Sequence, residues 1–205
     1  MGKLKIGVLG STAGTDMQAV IDEIEKGALD AEISVVICNK PDAFILERAK
    51  KHGLKAVCIP SKSREREDFD REVASILEEN GVQLILLIGY MRFLSKWFVD
   101  RYENRIMNIH PSLLPAFAGG MDLDVHQAIL DHGAKVTGAT LHFVDEGADT
   151  GPIILQKAVD IAGDETKETL KPKVQKAEQE IILRAIRLFA DGKLKVEGRK
   201  VKILG

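Results

Sequence analysis

The strongest constraint on the fold is a regular alternation of short apolar runs with amphipathic segments in the N-terminal half. The apolar runs occupy residues 5–10, 33–38, 55–60 and 83–90. The segments between them, residues 16–27, 42–53 and 69–81, repeat apolar residues at spacings of three and four, as helices do. Continuously apolar strands that alternate with helices are typical of a parallel sheet covered on both faces. This half is therefore predicted to be Rossmann-like.

The C-terminal half follows a different pattern. A fifth strand at 105–110 and a helix at 125–133 precede two consecutive strands, 135–146 and 152–161, and a long helix. Pro172 fits only the first turn of that helix, which makes Thr169 the predicted N-cap. Residues 193–204 resemble a hairpin. The predicted fold class is α/β, with a mostly parallel twisted sheet, helices on both faces and an antiparallel addition in the C-terminal half, in one domain of residues 1–205.

Composition excludes several classes of function. The net charge is −2 and no long run of one charge sign occurs, so binding to a nucleic acid has little electrostatic support. No apolar run is long enough to span a membrane and no signal peptide is apparent, which predicts a cytoplasmic protein. The pair Cys38 and Cys58 is predicted to be buried and reduced. The histidines lack the spacing of a zinc site, so no metal is expected.

Ligands of open α/β sheets bind at the carboxyl ends of the strands. Three loops at such positions are candidate binding sites. Residues 10–16 (GSTAGTD) precede a helix and are either an anion site made of small residues or a tight turn with Asp16 as cap. Residues 89–95 (GYMRFLS) place Arg92 among apolar side chains, either to line an acidic aromatic ligand or simply to begin a helix.

The third loop begins in NIHPSLLP, residues 108–115. Asn108 and His110 are two residues apart on a strand and therefore point to the same side. An amide and an imidazole there can hold a developing oxyanion, and the imidazole can move a proton, although a polar pair at a strand end is the simpler alternative. Asp149, in the loop EGADTG, could orient His110 or be a turn residue. His142 is interpreted as a packed or supporting residue.

Four segments together resemble one family. In chain order, GYMRFLS, NIHPSLLP, HFVDEGADTGPIILQ and VQKAE are similar to segments of the phosphoribosylglycinamide formyltransferases, folate-dependent enzymes of purine synthesis. The resemblance extends over nearly the whole chain, and NIHPSLLP is specific to formyl-folate enzymes.

The resemblance implies a function and a set of site residues. It implies transfer of a formyl group from 10-formyltetrahydrofolate to glycinamide ribonucleotide, without a metal, by a monomer or homodimer with no nucleic-acid or membrane partner. Residues 1–104 would bind the nucleotide phosphate and residues 105–205 the folate and the reacting groups. Asp149 would keep His110 charged. The implied catalytic residues are Asn108, His110 and Asp149. The implied acceptor-binding residues are Ala13, Gly14, Thr15, Asp16, Gln175 and Glu178. The implied folate-binding residues are Met91, Arg92, Leu94, Val99, Val144 and Asp145.

Two departures from the family pattern leave the acceptor open. The phosphate loop of the family usually ends in asparagine, whereas this chain has Asp16, whose charge opposes a phosphate unless it turns away. The segment from Ala116 to Asp124 is longer than the common form and adds Asp122 and Asp124. The acceptor could therefore be another phosphorylated amine or an amino sugar. A separate alternative is a phosphate- or folate-binding module without catalysis.

Overall fold

The computed structural model describes residues 2–119 and 124–205 of the chain. These residues form two compact units, Met1–Met107 and Asn108–Gly205. Part of the predicted long loop, residues 120–123, lies outside the described residues.

The first unit is a parallel sheet with helices between its strands. Its strands are Leu4–Gly10 (β1), Ala31–Cys38 (β2), Ala56–Cys58 (β3) and Leu84–Ile88 (β4). They pair in the order β3-β2-β1-β4, and every pairing is parallel. All five residues of β4 are buried, as expected for a continuously apolar run at the centre of such a sheet. In contrast, β3 pairs only with β2 among these strands, and Cys58 is exposed, so its predicted burial is wrong.

Four helices follow these strands. They are Thr15–Glu25 (α1), Phe44–Lys51 (α2), Arg66–Glu79 (α3) and Lys96–Arg101 (α4). α3 begins three residues earlier than predicted because the Glu65 side chain accepts a hydrogen bond from the Glu67 N–H. α4 directly follows residues 89–95, as the alternative that this segment begins a helix expects. Ser95 starts it by accepting a hydrogen bond from the N–H of Phe98 at 3.3 Å.

The strand Ile106–His110 (β5) carries the chain from the first unit into the second. The second unit contains the strands Val136–Phe143 (β6), Ile153–Asp160 (β7), Leu194–Glu197 (β8) and Lys200–Ile203 (β9), and the helices Val125–Asp131 (α5) and Lys167–Ala190 (α6). β6 and β7 are antiparallel, as are β8 and β9, while β7 and β9 are parallel. The predicted mixed class, mostly parallel with an antiparallel C-terminal addition, is confirmed.

The start of α6 corrects one prediction. The helix begins at Lys167 with Thr166 as N-cap, so Thr169 is its third residue and Pro172 lies in its second turn. The Thr166 N–H donates to Oγ1 of Thr169 at 3.0 Å, one half of a capping box. The helix therefore begins five residues before the proline, whose missing N–H leaves only one intrahelical hydrogen bond unmade.

Candidate active site

The second unit brings three predicted catalytic side chains together. Asn108 is half-buried near the end of β5, and His110, the last residue of β5, is 6% exposed. Asn108 Nδ2 lies 3.1 Å from Asp149 Oδ1, and His110 Nδ1 lies 3.3 Å from Asp149 Oδ2. One carboxylate therefore contacts both groups, as an orienting role for Asp149 requires.

Asp149 is held by the backbone around it. It adopts a φ of 56°, which a non-glycine residue seldom adopts, and its Oδ2 accepts a hydrogen bond from the Gly119 N–H at 3.0 Å. A left-handed residue in a loop costs free energy unless neighbouring contacts compensate. Asp149 is thus fixed by contacts made at both of its carboxylate oxygens.

His142 is a fourth member of the cluster that sequence reasoning placed only in support. Its Nδ1 lies 2.8 Å from the carbonyl oxygen of Phe143, and since that oxygen can only accept, Nδ1 carries a proton. Its Nε2 lies 3.2 Å from Asn108 Nδ2 and 3.5 Å from Asp149 Oδ1. In the neutral tautomer, Nε2 therefore accepts a hydrogen bond from Asn108. The only sequence signal was a histidine in an otherwise apolar strand.

These contacts determine how the Asn108 amide is oriented. One amide hydrogen points to the Asp149 carboxylate and the other to the unprotonated nitrogen of His142. The reverse orientation would set the amide oxygen against a carboxylate oxygen, which is repulsive. To donate to an oxyanion, Asn108 must exchange one of these two acceptors for it.

The electrostatics of the cluster favour an ionised Asp149 and a neutral His110. Burial tends to raise the pKa of Asp149, but the contacts of its carboxylate with His142, the Gly119 N–H and His110 lower it to about 2. Burial lowers the pKa of His110, and this outweighs the opposite effect of Asp149. Asp149 does raise the pKa of His110, as expected, but the net pKa is lowered, so the expectation that His110 is kept charged is wrong.

His110 Nε2 is the ring atom that this arrangement leaves without a partner among the described residues, and it is buried. Because Nδ1 faces Asp149, the neutral ring carries its proton on Nδ1 and its lone pair on Nε2. An imidazole with a carboxylate behind it and a free lone pair in front is arranged as a general base.

A buried hydroxyl fixes the turn that follows His110. Thr140 Oγ1 accepts from the Leu114 N–H at 3.0 Å and from Gln156 Nε2 at 2.9 Å, and donates to the Ser112 carbonyl at 2.7 Å. Thr140 is fully buried, so all three hydrogen bonds lie out of water. They tie the residues after β5 to β6 and β7.

The loop between β6 and β7 has little room for side chains. A Cβ atom on Gly151 would lie 1.8 Å from the carbonyl oxygen of Phe143. The Asp145 side chain is occupied inside the loop, where Oδ1 accepts from the Gly147 N–H at 3.1 Å and from Thr150 Oγ1 at 2.6 Å. The predicted folate-side residues Val144 and Asp145 are both half-buried, and Oδ1 of Asp145 is used within the loop.

In the first unit, the loop after β1 has the form of an anion site. Gly14, with a φ of 68°, is the N-cap of α1, so the alternative that Asp16 caps the helix is wrong. The N–H groups of Ala13 and Gly14 have no partner in the described part of the chain. Thr15 and Asp16 are the first residues of α1, and Asp16 is 6% exposed. Its Oδ1 has no partner among the described residues, and burial raises its pKa to about 6.

The loop after β4 is organised around Arg92 and Met91. Arg92 Nη1 donates to the Ser61 carbonyl at 3.3 Å, and the guanidinium lies 4.4 Å from the centre of the Phe69 ring. Its Nε is buried without a partner in the described chain, which leaves a donor for a ligand. The Met91 N–H donates to Ser11 Oγ at 2.8 Å and thereby links this loop to the loop after β1. Leu94 is half-buried.

Several other residues predicted to bind a ligand are buried or take part in structural contacts. Val99 is 6% exposed in α4, where it packs inside the first unit. Gln175 and Glu178 are three apart on α6, the first half-buried and the second 7% exposed. Asp124 is used structurally: it caps α5 by accepting from the Gln127 N–H at 3.3 Å, and it pairs with Lys167. Asp122 lies outside the described residues.

Two features of the described residues bear on other functions. Among residues 2–119 and 124–205, no three histidine, cysteine or acidic side chains are placed to hold a metal ion. In the same described ranges, no helix has the length and apolarity needed to cross a membrane.

The geometry and the comparisons with known proteins agree on the class. The profile of a family described as formyl transferase matches residues 4–186. That is most of the chain and includes the whole Asn108, His110 and Asp149 cluster. The chain belongs to the formyl transferase family.

Individual relatives narrow the resemblance. The phosphoribosylglycinamide formyltransferase of Bacillus subtilis is 38% identical over 175 residues, 85% of this chain and 88% of that protein. The trifunctional purine biosynthetic protein adenosine-3 of Gallus gallus is 42% identical over 195 residues, and the chain spans 19% of its length. The crystal structure of glycinamide ribonucleotide transformylase 1 from Symbiobacterium toebii matches with a TM-score of 0.93 and 44% identity, covering 99% of this chain and 95% of that one.

Proposed function

We propose that this protein transfers the formyl group of 10-formyltetrahydrofolate to the amino group of glycinamide ribonucleotide. Relatives named for this reaction, similar over nearly their whole length, support the substrates. The observation that carries the chemistry is the buried, unpartnered Nε2 of His110, backed by Asp149 and flanked by the Asn108 amide.

The proposed reaction requires one proton to move between two nitrogen atoms. The acceptor amine attacks the formyl carbon, a C–N bond forms, and the carbonyl electron pair moves to oxygen. His110 Nε2 takes a proton from the attacking amine, and the resulting imidazolium is stabilised by the ionised Asp149. When the intermediate collapses, the bond to N10 of the folate breaks and His110 returns the proton to N10. The neutral His110 that burial favours is the correct starting state for this sequence.

Asn108 stabilises the negatively charged oxygen of the tetrahedral intermediate. One of its amide hydrogens leaves an acceptor within the cluster and binds the oxyanion, which the imidazolium of His110 also faces. The amide exchanges one hydrogen bond of the cluster for one to the oxyanion, and removing an oxyanion donor typically costs ~10²–10³ in rate.

The substrate-binding parts follow the family resemblance. The free N–H groups of Ala13 and Gly14, at the start of α1, suit a phosphate, with Thr15 and Asp16 beside them. Gln175 and Glu178 are assigned to the ribonucleotide. For the folate, Arg92 offers its unpartnered Nε and the segment containing Val144 and Asp145 offers backbone groups. We propose that residues 1–104 bind the phosphate, and that residues 105–205 carry the reacting groups and, together with Arg92, bind the folate. The proposed location is the cytoplasm.

The first test is formyl transfer to glycinamide ribonucleotide by the wild type and by Asp149→Asn. The variant keeps the size of the side chain but loses the charge behind His110, so kcat should fall by about 10²–10³-fold while both KM values change little. Equal kcat in the two proteins would refute the catalytic assignment. An amino sugar phosphate as a parallel acceptor tests the alternative substrate, and turnover equal to or better than that of the ribonucleotide would refute the acceptor proposed here.

A further inference from the structure

Arg48, on α2, contacts the loop after β1 in a way that no sequence motif indicates. Its Nε donates to the carbonyl oxygen of Ala13 at 3.0 Å, and its Nη1 donates to Gln18 Oε1 at 2.5 Å. A second hydrogen bond joins α2 to the same loop, from the Ile45 N–H to the Thr12 carbonyl at 3.1 Å. α2 therefore holds two successive carbonyl groups of this loop.

Fixing the carbonyl of Ala13 also fixes the N–H of Gly14. The two groups belong to one planar trans peptide and point in opposite directions. Since Arg48 draws the carbonyl toward α2, the Gly14 N–H, which has no partner in the described chain, is presented on the other side of the loop. A charged donor on the carbonyl also polarises the peptide and makes this N–H a stronger donor.

The guanidinium is itself held in place from behind. Gln18, which accepts from Arg48, donates through Nε2 to Asp22 Oδ1 at 2.7 Å and lies 3.1 Å from His52 Nε2. His52 Nδ1 lies 2.7 Å from Glu25 Oε1, so the ring donates there and accepts from Gln18. This chain of hydrogen bonds leaves Arg48 little freedom, and the orientation of the loop peptide does not depend on a ligand.

We propose that Arg48 is the positioning residue that makes the protein select a phosphorylated acceptor. It acts through the Ala13–Gly14 peptide, whose N–H it orients toward the phosphate, and it adds a permanent positive charge to a turn that also carries Asp16. This inference rests on the proposed function, because it assumes that the acceptor's phosphate lies on residues 13–16.

The experiment compares glycinamide ribonucleotide with its dephosphorylated riboside. We expect Arg48→Gln to raise KM for the ribonucleotide by about tenfold, with kcat and the folate KM unchanged, as for a lost binding interaction. KM for the riboside should not change. Arg48→Lys keeps the charge without the planar fork and should lie between the wild type and Arg48→Gln. Lys50→Gln, which removes the same charge from an exposed position of α2, should behave like the wild type.

Several outcomes would overturn the proposal. One is an equal rise of KM for the two acceptors, another is a fall in kcat at constant KM, and a third is a lowered Tm with unchanged kinetics. If Arg48→Gln does not fold, Gln18→Met removes the second anchor of the guanidinium and should raise the same KM by a smaller factor. Failure of the proposed function is distinguishable, because the wild type would then not transfer formyl to the ribonucleotide at all.

Discussion

Replacing Asp16 by asparagine should stabilise the protein at neutral pH and leave its stability unchanged in acid. The carboxyl group is 6% exposed at the start of α1, with Oδ1 unpartnered in the described chain. Burial raises its pKa from an ordinary value of 3.8 to about 6. The folded protein therefore holds the proton to a higher pH than the unfolded chain, and stability falls as the pH rises through this window.

The magnitude follows from the two pKa values. Moving a pKa from 3.8 to about 6 corresponds to about 3 kcal/mol at neutral pH, at 1.4 kcal/mol per tenfold change in binding. The start of a helix favours a negative charge by about 0.3–1 kcal/mol, which asparagine loses. The variant should therefore gain about 2 kcal/mol above pH 7 and nothing below pH 4. Removing the charge should also lower KM for a phosphorylated acceptor.

Urea unfolding of wild type and variant at a series of pH values from 4 to 8 measures this difference directly. Titrating groups that do not interact with Asp16 cancel in the comparison, so the pH dependence of the change in unfolding free energy reports on Asp16 and its immediate neighbours. Asp68→Asn is the matched control, since Asp68 is an exposed carboxylate in the first turn of α3. A gain that is constant across the pH range, or equal in the control, would refute the argument.

Three further predictions concern the second unit. Because burial lowers the pKa of His110, kcat/KM should rise with pH through a value below 6.5 and then level off, whereas a fall over that range in a pH–rate profile would contradict a base. Thr140→Val should lower kcat and cost about 3 kcal/mol in urea unfolding, because it strands buried hydrogen-bonding groups, whereas Thr140→Ser keeps the hydroxyl and should retain kcat. Gly151→Ala should cost about 3 kcal/mol or more by the same assay, since its Cβ would lie 1.8 Å from a carbonyl oxygen, while Gly163→Ala, with open space around it, should cost almost nothing.

Sequence reasoning succeeded where a period or a topological rule determines the outcome. The buried strands of the first unit follow from continuous apolar runs, and the meeting of Asn108 with His110 follows from the two-residue period of β5. The position of Asp149 beside them was only one of two alternatives, because a loop sequence does not determine where its side chains point. The left-handed backbone of Asp149 and the hydrogen bond that it accepts from the Gly119 N–H determine where its side chain points.

The parts that sequence reasoning missed depend on contacts between side chains and distant backbone groups. Arg48 is an ordinary basic residue of an amphipathic helix until its hydrogen bond to Ala13 is known. Thr140 is an ordinary strand residue until Leu114, 26 positions away, donates to it. The rule that confines proline to the first turn of a helix places the start of α6 too late, because the pairing of Thr166 with Thr169 outweighs it. Such contacts have no periodic signature.

In the proposed mechanism, the cluster around Asp149 accounts for the use of a buried neutral histidine as the base. The carboxylate faces His110 at 3.3 Å and accepts from Asn108 and the Gly119 N–H, so its negative charge is stabilised before any proton moves. When His110 takes a proton, the new positive charge appears opposite a carboxylate that is already ionised and oriented. Burial sets the resting state and Asp149 stabilises the transient one. A histidine that was charged at rest would have its Nε2 lone pair occupied and could not remove a proton from the attacking amine.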